Sequence, residues 1–261
     1  MSDLLSIGAS AIRANQTALG VVSENIANAG VTGYSRRTVS TAEVVSLGKT
    51  GGVAQGYGVF VTGVTRAADQ FKAAAVRTAG ADLARTEAGG VWLDRLQSAL
   101  TGAGLDSRLS AFFNAAKGVA ADPTATAPRA TMIEQARALA SAFSSTGAAL
   151  NQATAELDAT ADQSVADLNS LSAALAKVND GLGRVGANTT GAANLADQRD
   201  DILEKMSQLV DVTASFDAAG RATVRAGTGS GAMLVSGTQV ATVSYARNAE
   251  GTVAFAVKNG T

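Results

Sequence analysis

Ser46-x-x-Lys49 has the spacing by which penicillin-binding enzymes place a nucleophilic hydroxyl beside an amine, and Lys49-Thr50-Gly51 repeats their second motif. That chemistry needs two lysines on separate elements. Here both motifs share Lys49 and lie in glycine-rich sequence rather than at the start of a helix. Gly48-Lys49-Thr50 also ends like a phosphate-cradling loop, but the required glycine five places before Gly48 is Glu43, whose carboxylate would repel a phosphate. Gly227-x-Gly229-x-x-Ala232 fits the loose dinucleotide fingerprint. It should open a helix, whereas Met233-Leu234-Val235-Ser236-Gly237 reads on as a hairpin. Asp197, Asp200, Asp201 and Glu204 could hold a divalent cation, but they share their turns with Arg199 and Lys205. The cluster reads as a solvated helix face with i,i+4 pairs such as Asp201 with Lys205.

The chain contains neither Cys nor His, which removes disulfides, thiolate nucleophiles, Ser-His-Asp triads and the commonest metal ligand. The sequence therefore yields no catalytic, cofactor-binding or metal-binding residue. With 21 basic against 22 acidic side chains the net charge is −1, which excludes a broad footprint for nucleic acid or an anionic membrane. No stretch reaches the ~18 apolar residues of a membrane span. The opening Met-Ser-Asp-Leu-Leu-Ser is no Sec signal peptide, so the protein is expected in the cytoplasm or exported by a route without a cleaved signal.

What remains to be explained is apolar surface on long helices. Of the 261 residues, 46% are apolar but only 4% aromatic, and two prolines leave room for very long helices. Residues 1–30 read as one amphipathic helix. Leu5, Ile12, Leu19 and Ile26 recur every seventh residue, with Gly8, Asn15, Val22 and Ala29 three places after each. A second seam, Leu4, Ile7, Ala11, Ala14, Ala18 and Val21, lies beside it, so the stripe is too wide for a surface helix on a globule. Residues 31–65 are glycine-rich with β-branched runs and read as a long irregular arm with short strands.

Residues 66–210 read as a long-helix bundle. Helix resumes at 66–101, with a possible kink at Gly89-Gly90, and again at 105–121, which Asp122-Pro123 stops. The next helix, about 129–183, holds seven heptads in register: Ala140, Gly147, Thr154, Ala161, Leu168, Leu175 and Leu182, each followed three places on by Phe143, Leu150, Leu157, Ser164, Leu171, Val178 and Val185. The expected bundle core is Phe143, Leu150, Leu157, Leu168, Leu171, Leu175 and Val178. The leucine-rich half is expected against 66–101 and 105–121. Residues 186–193 read as a flexible turn before a short helix, and 211–261 as antiparallel strands between glycine turns. The fold class is mainly α: a coiled-coil-like helical bundle with a C-terminal antiparallel β domain.

Ala18 to Asn28, with Asn25-Ile26-Ala27-Asn28 at its end, followed by Thr32-Gly33-Tyr34-Ser35-Arg36, resembles the N-terminal signature of the bacterial flagellar axial proteins, the rod, hook and hook-associated proteins. Ser35-Arg36, Gly56-Tyr57-Gly58-Val59-Phe60-Val61-x-Gly63-Val64, Arg66, Asp69, Phe71, Phe112-Phe113, Asp122-Pro123, Arg129 and Asn194-Leu195-x-Asp197-Gln198-Arg199-Asp200 resemble the hook-associated branch, most of all the first member of the hook–filament junction. The resemblance runs in order from residue 1 to about 245. It implies a non-enzymatic, self-assembling subunit joining hook to filament, secreted by the flagellar type III route without a cleaved signal and placed in the extracellular flagellum. It also implies partners: other copies of the chain, the hook protein, the second junction protein, the export apparatus and a chaperone. The assembly interface it suggests is Leu5, Ile12, Leu19, Val22, Asn25, Ile26, Asn28, Gly33, Tyr34 and Arg36. In the family a C-terminal helix pairs with the N-terminal one; none follows the β region here, which suggests a truncated or N-terminal portion. The alternatives are a hook or rod subunit, or a cytoplasmic coiled-coil adaptor, which would explain the heptads but not the arm.

Overall fold

A computed structural model describes residues 2–45, 56–227 and 229–259. The Ser46-x-x-Lys49, Lys49-Thr50-Gly51 and Gly48-Lys49-Thr50 motifs fall in 46–55 and lie outside the described residues. In chain order the helices are α1 (Ser2–Ala27), α2 (Gln70–Thr101), α3 (Leu105–Ala121), α4 (Thr126–Arg184) and α5 (Thr190–Leu209). Strands β1 (Arg37–Val45) and β2 (Gly56–Arg66) precede α2; β3 (Val212–Phe216), β4 (Ala222–Ala226), β5 (Met233–Ser236), β6 (Gln239–Arg247) and β7 (Val253–Asn259) follow α5.

The boundaries have local causes. Asp69 caps α2, accepting from Phe71 N at 2.9 Å and Lys72 N at 3.2 Å. Gly89-Gly90 lies inside α2, which continues through it without interruption. Pro128 sits in the first turn of α4, where its missing N–H removes no helical bond. At 59 residues, α4 is about 90 Å long. The expected turn over 186–193 holds for 186–189 and ends there: Thr189 caps α5 through Ala192 N at 3.1 Å, so helix begins at Thr190. The arm is more regular than its glycines suggest. β1 and β2 form an antiparallel ladder from Arg37↔Arg66 to Val45↔Gly56, with bulges at Ser40/Thr41 and Glu43/Val45.

The chain divides into two compact units. The first comprises Met1–Asp82, Ala166–Ser244 and Phe255–Thr261. Its core joins Leu168, Leu175, Val178 and Leu182 of α4 to Leu203 and Met206 of α5 and to Val212, Val224, Leu234, Val235 and Val243 of the sheet, all buried. The sheet is an antiparallel meander in the order β3-β4-β5-β6-β7. Two asparagines on α4 fasten it. Asn179, with no exposed surface, donates to Ala222 O and Gly237 O at 2.8 Å each and accepts from Ala222 N at 2.7 Å. Asn169 holds Val243 through its O at 2.8 Å and its N at 2.9 Å. The leucine-rich half of α4 thus packs on the β sheet and, through Gly181 against Leu195, on α5.

The second unit comprises Leu83–Val165 and Tyr245–Ala254. It is thinly packed. Ala142 and Thr146 of α4 are buried, whereas Leu93, Leu100, Phe113 and Ile133 are each more than half exposed. Two expected core positions are corrected here: Phe143 is 57% exposed and Leu157 38% exposed. Their seam neighbours are small, Ala140 and Gly147 beside Phe143 and Thr154 and Ala161 beside Leu157, and build too thin a layer to cover either side chain. Leu150 and Leu171 are half-buried. Arg95 on α2 pairs with Glu156 on α4, and Asp158 is held by Tyr245 O–H at 2.5 Å and Arg247 Nε at 2.8 Å. Those hydrogen bonds, Arg247's first, hold the Asp158 carboxyl below its ordinary range, and the same carboxylate pushes the Tyr245 phenol up.

Candidate assembly surface and the ion-pair node beneath it

The two seams of α1 have opposite fates. Ala14 and Val21 are buried and Ile7, Ala11 and Ala18 half-buried, on the side that packs against β1 and β2. The heptad seam faces away: Leu5, Ile12, Leu19, Val22 and Ile26 are exposed by 50–78%, as is Leu4 at 76%. Five large aliphatic side chains on one helical stripe form an unpartnered apolar surface.

Close contacts fix the angle of that stripe. Ser10 Oγ donates to Ile7 O at 2.8 Å and accepts from Val59 N at 3.1 Å. It can do so because Gly58 has φ +110° and no side chain; a Cβ there would stand 2.3 Å from Ser10 Oγ. At the other end the Asn25 amide clamps the Arg37 backbone, donating to its O at 2.8 Å and accepting from its N at 2.8 Å, while Tyr34 O–H donates to the same Asn25 oxygen at 2.9 Å. Gly33 makes the intervening turn at φ +81°.

Below the clamp lies a buried ion-pair node. Arg37 and Arg66 are Cα partners across the hairpin, and like charges directly opposite destabilise a ladder. Asp197 of α5 separates them, one carboxylate oxygen 2.9 Å from Arg37 Nη2 and the other 3.0 Å from Arg66 Nη1. Arg37 also donates to Asn194 Oδ1 at 2.6 Å and pairs with Glu24 at 3.2 Å, and its ring partner is Tyr34, 4.8 Å below the guanidinium. Arg66 reaches Asp200 at 2.5 Å, and Asp200 accepts from Arg199 at 2.6 Å. Arg199 donates to Gly220 O at 2.5 Å and stacks on Phe216 at 4.1 Å, carrying the network to the sheet. Arg77 of α2 is buried beside these acids. Burial pushes its guanidinium below the ordinary value, and Asp200 and Glu204 draw it back up while Arg199 opposes them.

Within the suggested interface, Leu5, Ile12, Leu19, Val22, Ile26 and Arg36 are exposed. Asn25 and Tyr34 are corrected: both are half-buried and spend their polar groups inside the chain. Asn28 is half-buried, its amide donating to Glu24 O at 2.9 Å at the end of α1. The acidic cluster is corrected as well. Asp201 does pair with Lys205 at 2.7 Å, but Asp197 is buried and Asp200 half-buried in the joint with Arg37 and Arg66, not a solvated face. Among the described residues no group of acids is placed to hold a metal ion. Gly227 and Gly229 lie in the connection between β4 and β5, not at a helix start. Arg37 and Glu24 belong to this node and were passed over by the spacing arguments. Their signal was Arg37 next to the Tyr34 turn, in strand register with Arg66, with two aspartates three apart on α5 left to neutralise them.

An amphipathic helix locked to a hairpin, with its apolar seam turned outward, and no clustered chemistry among the described residues suit a helical structural protein. A family model described as flagella basal body rod protein matches residues 5–34, and one described as flagellar hook-associated protein FlgK helical domain matches 92–261. Flagellar hook-associated protein 1 of Salmonella typhimurium is 30% identical over 225 residues, covering 84% of this chain and 40% of that protein. The Escherichia coli K12 protein of the same name is 29% identical, covering 84% and 41%, and that of Bacillus subtilis 27%, covering 80% and 43%. The chain belongs to the flagellar hook-associated protein 1 family. It spans about two fifths of the length of these curated relatives. The solved flagellar hook junction protein FlgK from Burkholderia pseudomallei shares the fold, with a TM-score of 0.59 at 20% identity over 72% of this chain and 33% of that one. No helix of the described residues is long and apolar enough to cross a membrane.

Proposed function

We propose that this chain serves as a structural subunit of the bacterial flagellum that joins hook to filament, without enzymatic activity. On this reading it works outside the cell after export by the flagellar type III route without a cleaved signal. Its partners would be other copies of itself, the hook protein, the second junction protein, and in transit the export apparatus and a chaperone. The observation that carries the reading is the outward seam Leu5–Ile12–Leu19–Ile26, held at a fixed angle by the Asn25 clamp and the Arg37–Asp197–Arg66 node. The name carried by the relatives supplies the hook and the filament as the two bodies to be joined.

The test is the double substitution Ile12→Asp and Leu19→Asp in the full-length protein. Both sites are exposed in the free chain, so folding should survive; two carboxylates on a seam that is dry in the assembly should abolish filament attachment. Cells that still carry filaments, with the variant exported at normal level, would overturn the assignment of the seam to assembly.

A further inference from the structure

Arg37, Arg66, Arg77 and Arg199 meet at the node, and all but Arg77 have a carboxylate partner. Arg37 has Glu24 and Asp197, Arg66 has Asp197 and Asp200, and Arg199 has Asp200. Arg77 of α2 is only 6% exposed, yet its guanidinium makes no hydrogen bond or ion pair among the described residues. Asp200 and Glu204, one turn apart on α5, are close enough to act on its charge. A buried cation without a direct partner is costly to keep.

Asp200 is the carboxylate that Arg77 lacks. Arg66 takes its Oδ2 at 2.5 Å, and Arg199 takes its Oδ1 from Nη2 at 2.6 Å and Nε at 2.9 Å. Arg199 is fixed at its other end, where it donates to Gly220 O and stacks on Phe216. Arg66 instead rides on the hairpin, whose seat on the rest of the unit is thin. Val64 N donates to Asn188 O at 2.6 Å. Beside that bond a hollow of about 270 Å³ lies between Val64, Thr65 and Arg66 on one side and Ala187, Ala192 and Ala196 on the other. Alanines across a gap hold a strand weakly. Residues 67–69 join β2 to α2 outside any element and supply a pivot.

We propose that the joint is a two-position latch in which Arg77 competes with Arg66 for Asp200. With the hairpin seated, Arg66 holds Asp200 Oδ2 and Arg77 stands by. With the hairpin and α1 swung away about residues 67–69, Arg77 takes that oxygen. Loss of one partner from a buried pair is costly because the other charge is stranded. Here Asp200 exchanges one guanidinium for another, and Arg77 gains the partner it lacks in the seated position. Asp197 is uncovered to water as Arg37 and Arg66 leave it, so its charge is not stranded either. Arg77 thus biases the latch toward release, and the seated position is held against that bias. The inference concerns a single chain and goes beyond the assembly reading, since it does not depend on what covers the seam of α1.

The test reads amide exchange in β1 and β2 of the full chain. Arg77→Met removes the competitor, so exchange there should slow on the order of fivefold although an arginine has been taken from the node. A residue that merely helps to hold the joint would speed exchange on removal. Arg77→Gln should act in the same direction, which separates lost charge from altered packing. With Asp200→Asn in place the competition has lost its carboxylate, and adding Arg77→Met should change hairpin exchange by less than about twofold. In an Arg66→Met chain, where Arg77 is intact, the Arg77 Nε–H should become protected from solvent exchange by NMR, as in a paired guanidinium. Circular dichroism melts establish that each variant is folded, and the Arg66→Met arm stands even if substitution at Arg77 unfolds the chain. Unchanged or faster exchange in folded Arg77→Met, equal slowing in the Asp200→Asn background, or an unprotected Arg77 Nε–H in Arg66→Met would overturn the proposal. None of these readouts involves Ile12 or Leu19, so the filament test can fail or succeed separately.

Discussion

Asp197→Asn is the sharpest test of the node, because it removes one charge and almost no volume. The carboxylate lies between two guanidiniums that are strand partners, with Arg37 2% exposed and Arg66 11% exposed. The amide can accept from one arginine but offers its N–H₂ to the other. Two buried cations then face each other with a donor between them. Breaking a buried pair from one side costs roughly 3–5 kcal/mol. Glu24 still serves Arg37 and Asp200 still serves Arg66, so the lower end, about 3 kcal/mol, is expected. The loss should be local first. The hairpin and α1 release from α5, and amide exchange in β1 and along α1 should speed on the order of a hundredfold. Asp201→Asn is the control, since its pair with Lys205 is about half-exposed and should be worth less than about 1 kcal/mol. Adding Arg37→Met to Asp197→Asn should recover part of the loss by removing the stranded cation. An Asp197→Asn chain that exchanges like the control would refute the node as the anchor of α1.

Two other outcomes separate the parts of the fold. Leu175→Ala, at a site with no exposed surface, should cost about 2–5 kcal/mol in urea unfolding, whereas Leu171→Ala, half-buried on the same helix, should cost clearly less. Asp158 is held below its ordinary range by hydrogen bonds from Arg247 and Tyr245, and Asp217 by its bonds with Arg221. Each folded-state value lies below the unfolded one. Their stabilisation is therefore complete above the unfolded carboxylate value near 4 and is lost as pH falls through the lower folded value. Carboxyl NMR titration should show both midpoints below that of a model peptide, and Arg247→Gln should raise that of Asp158 alone.

The helices were legible because their periods are local. A seven-residue repeat over α4 and a doubled seam on α1 need no knowledge of partners to be read as helix. What covers each seam was not legible. The leucines of α4 suit another helix as well as a sheet, and the choice is made by Asn169 and Asn179, whose amides satisfy strand backbone groups more than forty residues away. Phe143 and Leu157 obey the heptad and are still exposed, since the pattern fixes a face and says nothing of what stands opposite. On α1 the pattern held both answers side by side: the seam of Ala14 and Val21 goes inward against the hairpin, with Ser10 and Ile7 meeting Gly58, and the large seam is left outward.

The same reasoning joins the two most specific motifs of the chain. Asn25-Ile26-Ala27-Asn28 with Thr32-Gly33-Tyr34 lies more than 160 residues before Asn194-Leu195-x-Asp197-Gln198-Arg199-Asp200, and in sequence they look like separate signatures. In the fold they are two halves of one joint. Asn25, steadied by the Tyr34 hydroxyl, holds the Arg37 backbone, Asn194 and Asp197 take its guanidinium, and Asp200 takes Arg66. Their polar atoms are consumed inside the chain, so little of them is left for a neighbouring subunit. Between Asn25 and Asn28 only Ile26 is large, apolar and 74% exposed. The signature's polar letters set the angle of α1, and its aliphatic letters face outward at that angle. A substitution at Asn25 or Asp197 should therefore act on assembly through the orientation of the stripe, whereas one at Ile12 or Leu19 should act on the stripe itself and leave the joint intact.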